Sequence, residues 1–512
     1  MSAHLAALAV AVLIGAAEER PDESTPPARP SESDLFGAPP APDETAPPTF
    51  PSPQPGEDRG ERGSPVTQRR LLQRLGETEN PLSIGGQLYL RSVLAATERD
   101  PPSRWQLTAP SLVDTFLDAR PSDRVRGFLL GRMFYDPTID PNAPGFLGSP
   151  PPANPRVLLD QLWLRFDAEK TVFLTVGKQH VKWGTGRYWN PTDYLHAVRR
   201  NPLDAFDPRT GTTMVRMHVP WERRGWNFYA IAILEPLTTR SANPLDDVTT
   251  SGGGAVTPSV PQGVPTSEAG TVGGLGGAAR AELVLGPSEL AVGAVLQRGH
   301  KPRFALDGSV GFWEVDVYAE AAVKTGSEVP LWRPRAGTTA DTPLLARYET
   351  YEPSGLTPAV TAGLRWSHKY SDEDLFEAGL EYFFNRTGYD DSSIYPWLLL
   401  KGAFTPFYLG RHYGAAYLSL PKPGSWNQTT FVLSTVGNFS DRSFVTRLEH
   451  SVLLLTYLWL ETFAQVHYAA SGASGGEFRL GFAVPPGQIP GFPGLARNPS
   501  VFDLGLALRI SL

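Results

Sequence analysis

The run from Val501 to Leu512 constrains the fold more than any other stretch of this chain. Phe502, Leu504, Leu506, Leu508, Ile510 and Leu512 fall on one side of an extended backbone, and Asp503, Gly505, Ala507, Arg509 and Ser511 on the other. Side chains alternate with a period of two only in a strand, so this is a strand with one wholly apolar face. Residues 311–324 repeat the pattern, with Trp313, Val315, Val317, Ala319, Ala321 and Val323 set against Glu314, Asp316, Tyr318, Glu320 and Lys324. Similar runs occur near 84–95, 111–119, 124–135, 157–168, 171–180, 212–219, 225–235, 278–286, 289–299, 358–369, 375–386, 411–420, 427–437, 443–454, 457–468 and 477–484. Together they make about eighteen, each close to the nine to eleven residues with which a tilted strand crosses a bilayer. Some two dozen residues per strand and connection suit an all-β chain closed into a transmembrane antiparallel barrel of about 16–18 strands.

The connections alternate between tight and long. Tight ones are Asp167 to Lys170, Pro220 to Arg224, Gly286-Pro287-Ser288 and Ser371 to Asp374; long ones are 136–156, 181–211, 236–277, 325–357 and 387–410. The alternation slips between the strands near 311–324 and 358–369, so one strand in this reading is miscounted. A soluble sandwich, β-helix or propeller also alternates. However, no repeat recurs at a period of 20–50 residues, which disfavours propellers and solenoids, and apolar faces that run unbroken over five or six alternate positions favour lipid.

Residues 1–17 read as a signal peptide: Leu5 to Ala17 is an apolar run ending in Gly15, Ala16 and Ala17, too short to span a bilayer as a helix. Residues 18–80 read as a disordered, Pro-rich, acidic periplasmic segment, because chain entropy there is not offset by large apolar side chains. Within it, residues 18–64 hold about eleven acids against about four arginines, which accounts for the net charge of −7. The barrel is expected over 81–512. The charged fraction of 19%, the aromatic fraction of 11% and a mean hydropathy of −0.22 fit strands that face lipid with half their residues. The absence of cysteine excludes disulfides, thiolate metal sites and a cysteine nucleophile. No basic face suggests nucleic acid.

Four stretches carry a resemblance. The alternating apolar residues up to Leu512 resemble the assembly signature of outer-membrane proteins, although the usual last residue is aromatic. Gly177-Lys-Gln-His-Val-Lys-Trp-Gly-Thr-Gly-Arg-Tyr-Trp-Asn-Pro-Thr-Asp193 resembles the Gly-Arg-Gln-x-x-x-Trp-Gly and Asn-Pro-x-Asp stretch of a large, poorly characterised group of proteobacterial outer-membrane porins, with Lys178 where that group often has Arg. Tyr318-Ala319-Glu320 and Glu381 to Tyr389 are similar to the same group. The resemblance covers about a tenth of the chain and implies a barrel and a pore in the outer membrane of a Gram-negative-type bacterium, not a substrate.

Catalytic patterns are scarce. There is no Gly-x-Ser-x-Gly, His-Glu-x-x-His or Walker loop, and the Gly-rich piece Gly270 to Gly277 follows a loop rather than a strand. His450 and Ser451 point to opposite faces, and His218 and His467 read as lumen or interface histidines. No enzyme, cofactor or metal is expected.

The segment 181–211 is the constriction-loop candidate, carrying Trp183, Arg187, Tyr188, Trp189, Asp193, Arg199 and Arg200. Either it folds into the mouth, or its aromatics join the interfacial girdle around a turn at Asn190-Pro191. An apolar face turned to lipid sends Arg124, Arg126, Arg132, Gln161, Arg165, Lys182, Arg216 and His218 into the lumen on one side. It sends Glu314, Asp316, Glu320, Glu377 and Glu381 inward on the other. Lipid-facing arginine costs roughly 2–4 kcal/mol near the midplane, which dictates that assignment. The reading is a diffusion channel for small polar solutes, with a basic wall facing an acidic one. The alternatives are a channel specific for carbohydrate or organic anions and a plugged, surface-interaction barrel. Partners would be outer-membrane lipid and small solutes; porins of this size often form homotrimers, but no residue pattern signals it.

Overall fold

The computed structural model describes residues 81–140, 153–196, 199–204, 207, 209–235, 274–339, 342–372, 374–470, 475–486 and 494–511. The expectations for residues 1–17 and 18–80, most of 236–277, and Leu512 lie outside the described residues.

Eighteen strands form one antiparallel sheet that closes on itself. They are β1 (Leu82–Thr97), β2 (Ser111–Ser122), β3 (Val125–Tyr135), β4 (Arg156–Ala168), β5 (Val172–Gln179), β6 (Thr212–Trp221), β7 (Trp226–Ile233), β8 (Gly276–Leu285) and β9 (Ser288–Gln297). The second half comprises β10 (Arg303–Phe312), β11 (Val315–Thr325), β12 (Leu356–Lys369), β13 (Leu375–Asn385), β14 (His412–Pro421), β15 (Thr429–Asn438), β16 (Ser443–Leu455), β17 (Leu458–Ala469) and β18 (Ser500–Ser511). Each pairs with its successor. β18 returns to β1 with Leu88 opposite Ile510 and Val93 opposite Gly505, so no sheet edge is left open.

The sequence count of eighteen is reproduced through two opposite errors. Arg303–Phe312 is a full strand that the pattern missed, and restoring it removes the slip in loop parity. The run at 477–484 is not a barrel strand: Glu477–Arg479 is a 3-10 turn, and Phe482–Val484 pairs only with Leu495–Arg497. The connections at one end are then all short, among them Gly286–Pro287 and Trp313–Glu314, and the long ones all lie at the other, together with the short 298–302 and 439–442.

The two faces separate as alternation requires. Leu90, Leu117, Leu162, Leu164, Phe166, Leu306, Val317, Leu364, Leu380, Leu418, Leu433, Leu448, Leu504 and Leu506 all stand exposed on the outside. An apolar belt around the whole circumference far exceeds the patches that soluble monomers leave in water, and a hydrocarbon surrounding removes the penalty. Trp221, Trp313, Tyr370, Trp426 and Tyr457 are exposed beside the short turns, where an aromatic girdle meets the interface. Among the described residues no helix is long and apolar enough to cross a membrane, so any crossing belongs to the strands.

Candidate functional site

The segment joining β5 to β6 enters the barrel from the long-loop end and lies against its inner wall. Trp183, Tyr194 and Leu195 pack on Met214, Ile231, Ile233, Val295 and Ala305 of β6 to β10. Tyr188, Trp189 and Leu203 pack on Phe383, Tyr413, Tyr417, Val436 and Val445 of β13 to β16. The inward faces there are apolar because the loop covers them. Trp189 is fully buried, stacked on Phe383 with centroids 5.6 Å apart. Neither Trp183 nor Trp189 reaches the outer girdle.

Two wall carboxylates grip the loop backbone. Glu381 accepts from the amides of Arg187 (2.7 Å), Tyr188 (3.0 Å) and Trp189 (2.8 Å) and from the Tyr318 hydroxyl (2.6 Å). Glu320, one strand pair away, accepts from Gly186 N, from Asn190 Nδ2 (3.1 Å) and from Thr192 Oγ1 (2.8 Å). Three consecutive N–H groups aimed at one carboxylate form an anion-binding nest, and here the barrel itself supplies the anion. The Gly184-Thr-Gly186 spacing is required for this approach. Gly184 has a φ of +98°, and a Cβ at either glycine would meet a Glu320 carboxylate oxygen.

The far part of the loop is held by arginines. Arg447 donates to Leu203 O at 2.9 Å, and Arg132, itself bidentate to Asp114 at 2.8 and 3.0 Å, donates to Asp207 O. Arg209 bridges Asp193 (2.7 Å) and Asp207 (2.6 Å). Burial works to raise both carboxyls, but the guanidinium between them, with His196 nearby, holds each well below the usual carboxylate range. At Asp204 burial pushes the carboxyl up to about 8 against the attraction of Arg91, Arg447 and Arg200. On β4 the register shifts between Leu130 and Gly131, with Gln161 and Leu159 as their partners and Asp160 left over. This β-bulge turns Asp160 inward, where it faces His180 Nε2 at 2.8 Å and accepts from Gly211 N at 3.2 Å.

Several side chains expected on two charged walls are already committed. Arg126 pairs with Asp118 at 2.8 Å, Arg132 with Asp114, and Asp316 with Arg365 at 2.5 Å. Glu320 and Glu381 are consumed by the loop. Arg124 is exposed in the β2–β3 turn. Glu314 is corrected outright: it lies in the β10–β11 turn and accepts from Trp366 Nε1 and faces His368, both on the outward parity of β12, so it lines no lumen. Glu377 remains half-buried on the inner face of β13.

Arg165 and Arg216 differ. They flank Thr175 in one register row, Arg165 lies over the Phe173 ring at 4.6 Å, and neither forms a salt bridge with a described residue. Around them runs an aromatic lane: Phe116 on Phe128 on Trp163, then Phe173 on His218 on Tyr229. His218 also faces Asn227 Oδ1 at 2.9 Å. Of the remaining loop residues, Arg187 lies 3.8 Å over Tyr417, Arg199 reaches Asn190 O at 3.4 Å, Arg200 O accepts from Tyr408, and Lys182 is half-buried where the loop leaves β5.

Sequence reading missed the outer cover. Residues 344–348, 394–409 and Val484 form an apolar cluster around Trp397 and Leu398 at the long-loop end. It is tied to the inner loop through Trp189 Nε1, which donates to Phe407 O at 2.9 Å. Burial pushes Glu477 up to about 8, with Asp441 adding to the rise; Glu477 accepts from Tyr413 (2.6 Å), Asn438 (2.9 Å) and Phe407 N.

No protein-family model matches the sequence, and no curated protein matches it. Solved structures similar to the chain include Acinetobacter baumannii OccAB4 (8% identity, TM-score 0.46, 84% of this chain and 98% of that one). Pseudomonas aeruginosa OpdK with vanillate is similar at 9% identity and a TM-score of 0.44, over 84% of this chain and 98% of that one. Pseudomonas putida OprB is similar at 8% identity and a TM-score of 0.41, over 87% and 96% of the respective chains.

Proposed function

We propose that this chain is an outer-membrane channel for small polar solutes in a Gram-negative-type bacterium, narrowed by its own residues 181–211. The observation that carries the reading is the long connection folded inside a closed barrel and gripped by wall residues on β3, β4, β11, β13 and β16. An apolar belt outside and hydrogen-bonded charge inside suit a wall between lipid and an aqueous passage.

The charge left over on the inner wall favours anions weakly. Arg165 and Arg216 form no salt bridge with a described residue, whereas most acids of the facing wall are spent on Arg365 and on the loop. The transverse field expected from two opposed walls is therefore reduced to a basic, aromatic sector. That sector also supports the second reading, a channel that retains a solute by stacking and charge.

Planar-bilayer recording of refolded protein tests this. Discrete conductance steps with a modest anion preference are expected, and block by a planar anion at low concentration would favour the solute-specific channel. A barrel that folds but never conducts would overturn both in favour of a plugged, surface-interaction role.

A further inference from the structure

Between the β4 bulge and the loop runs an unbroken chain of four side chains. Asp160 Oδ1 faces His180 Nε2 at 2.8 Å, His180 Nδ1 faces His196 Nε2 at 2.9 Å, and His196 Nδ1 faces Asp193 Oδ1 and Oδ2 at 2.9 and 3.0 Å. Both ends accept, because Asp193 is ion-paired with Arg209 and Asp160 with Arg132. Each carboxylate contact therefore needs a ring N–H, and the nitrogen–nitrogen contact needs one hydrogen and no more. Three ring protons on two imidazoles satisfy all of them. A fourth would set two N–H groups against each other at 2.9 Å.

We propose that His180 and His196 form a proton-counted latch: acidification adds the fourth ring proton, breaks the ring-to-ring contact and frees the 181–211 loop from the β4–β6 wall. The charged groups facing the pair are Asp160 on β4, with Arg132 and Asp114 behind it on β3 and β2, and Asp193, Arg209 and Asp207 on the loop. Outside the rings these sum to two positive and four negative charges, which supports one imidazolium. Desolvation resists the second: burial lowers His196 below its ordinary value, and Asp193 only partly offsets it. The sign follows. The closed latch holds three ring protons, against two on a pair of neutral free imidazoles and four on a pair of imidazoliums, and free imidazoles titrate near pH 6.5; closure is therefore strongest around that value and is lost as pH falls below it. Opening takes up about one proton, so the open fraction grows by up to about tenfold per pH unit below roughly pH 6. The consequence for permeation rests on the channel reading; the latch itself does not.

The chain has no cysteine, so Leu195→Cys places a single thiol next to the latch at a position that is 1% exposed. Its modification by a neutral methanethiosulfonate, normalised to Ser425→Cys in the exposed β14–β15 turn, should rise steeply between pH 7 and 5. With His196→Gln or His180→Gln added, the normalised rate should lose that pH dependence. A flat wild-type profile, or the same profile in both glutamine variants, overturns the latch, as does a thiol already reactive at pH 7. Conductance recorded in parallel separates the two proposals. A pH-dependent thiol in a barrel that never conducts keeps the latch and removes the channel; a conducting barrel with a flat thiol profile does the reverse.

Discussion

Replacing Glu381 by glutamine keeps the side-chain volume and removes one acceptor. Oε2 accepts from Arg187 N and the Tyr318 hydroxyl, and Oε1 from Tyr188 N and Trp189 N. With the amide nitrogen on the Oε2 side, the Tyr318 hydroxyl can turn to accept from it, and Arg187 N alone then faces a donor. A lost hydrogen bond to a charged acceptor is worth about 1.5–3 kcal/mol, so E381Q should weaken loop docking by about that much. That lowers the docked-to-released ratio roughly 10- to 150-fold, at about 1.4 kcal/mol per factor of ten. The barrel does not depend on this contact, since β13 keeps its pairing with β12 and β14. E381Q should therefore refold with wild-type thermal stability while conducting with larger and noisier steps. The cleaner check is limited proteolysis of the loop in detergent, where new cleavage should appear within 184–204. Unchanged conductance together with unchanged protease resistance would refute the claim that this carboxylate holds the loop.

Three other perturbations probe separate links. Reversing Arg165 and Arg216 to glutamate should shift the anion-to-cation permeability ratio by roughly tenfold toward cations, read from the reversal potential in a salt gradient; no shift would show that the pair does not face the conducting path. Glu477 is raised to about 8 from 4.5, so its contribution to holding residues 475–486 is full below about pH 4.5 and is lost as pH rises through about 8. Hydrogen exchange in that segment should accelerate on going to pH 9 beyond the intrinsic base effect, and Glu477→Gln should remove the excess. Gly505 lies under the Phe463 ring, which a Cβ would overlap. Gly505→Ala should cost about 1–3 kcal/mol in urea unfolding, and Phe463→Ala should relieve most of it; additive losses would argue against that packing.

The strands were readable because alternation is a local property, and its failures are local too. Arg303–Phe312 hid behind Gly308, which interrupts its apolar face, and behind a turn at Trp313–Glu314 without Gly or Pro. Residues 477–484 alternate as Phe478, Leu480, Phe482 and Val484, yet Phe478 turns in to pack on Phe407 at 5.2 Å. The β4 bulge left a trace that alternation alone could have found. Val157 and Leu159 are apolar at odd positions, Leu162, Leu164 and Phe166 at even ones, and the phase breaks at Asp160. Other features had no local signature. Glu381 meets amides more than 190 residues earlier in the chain, and nothing in an inward-facing glutamate distinguishes a lumen charge from a backbone clasp. The Gly184-Thr-Gly186 spacing was the nearest hint, since two glycines so close together mark a backbone that something approaches closely.

The central claim is that residues 181–211 occupy the passage and set its width. Single-channel conductance should be compared between the intact chain and one in which residues 185–207 are replaced by a short Gly-Ser linker. Steps several-fold larger are expected in the shortened chain. Steps of equal size in both would contradict it.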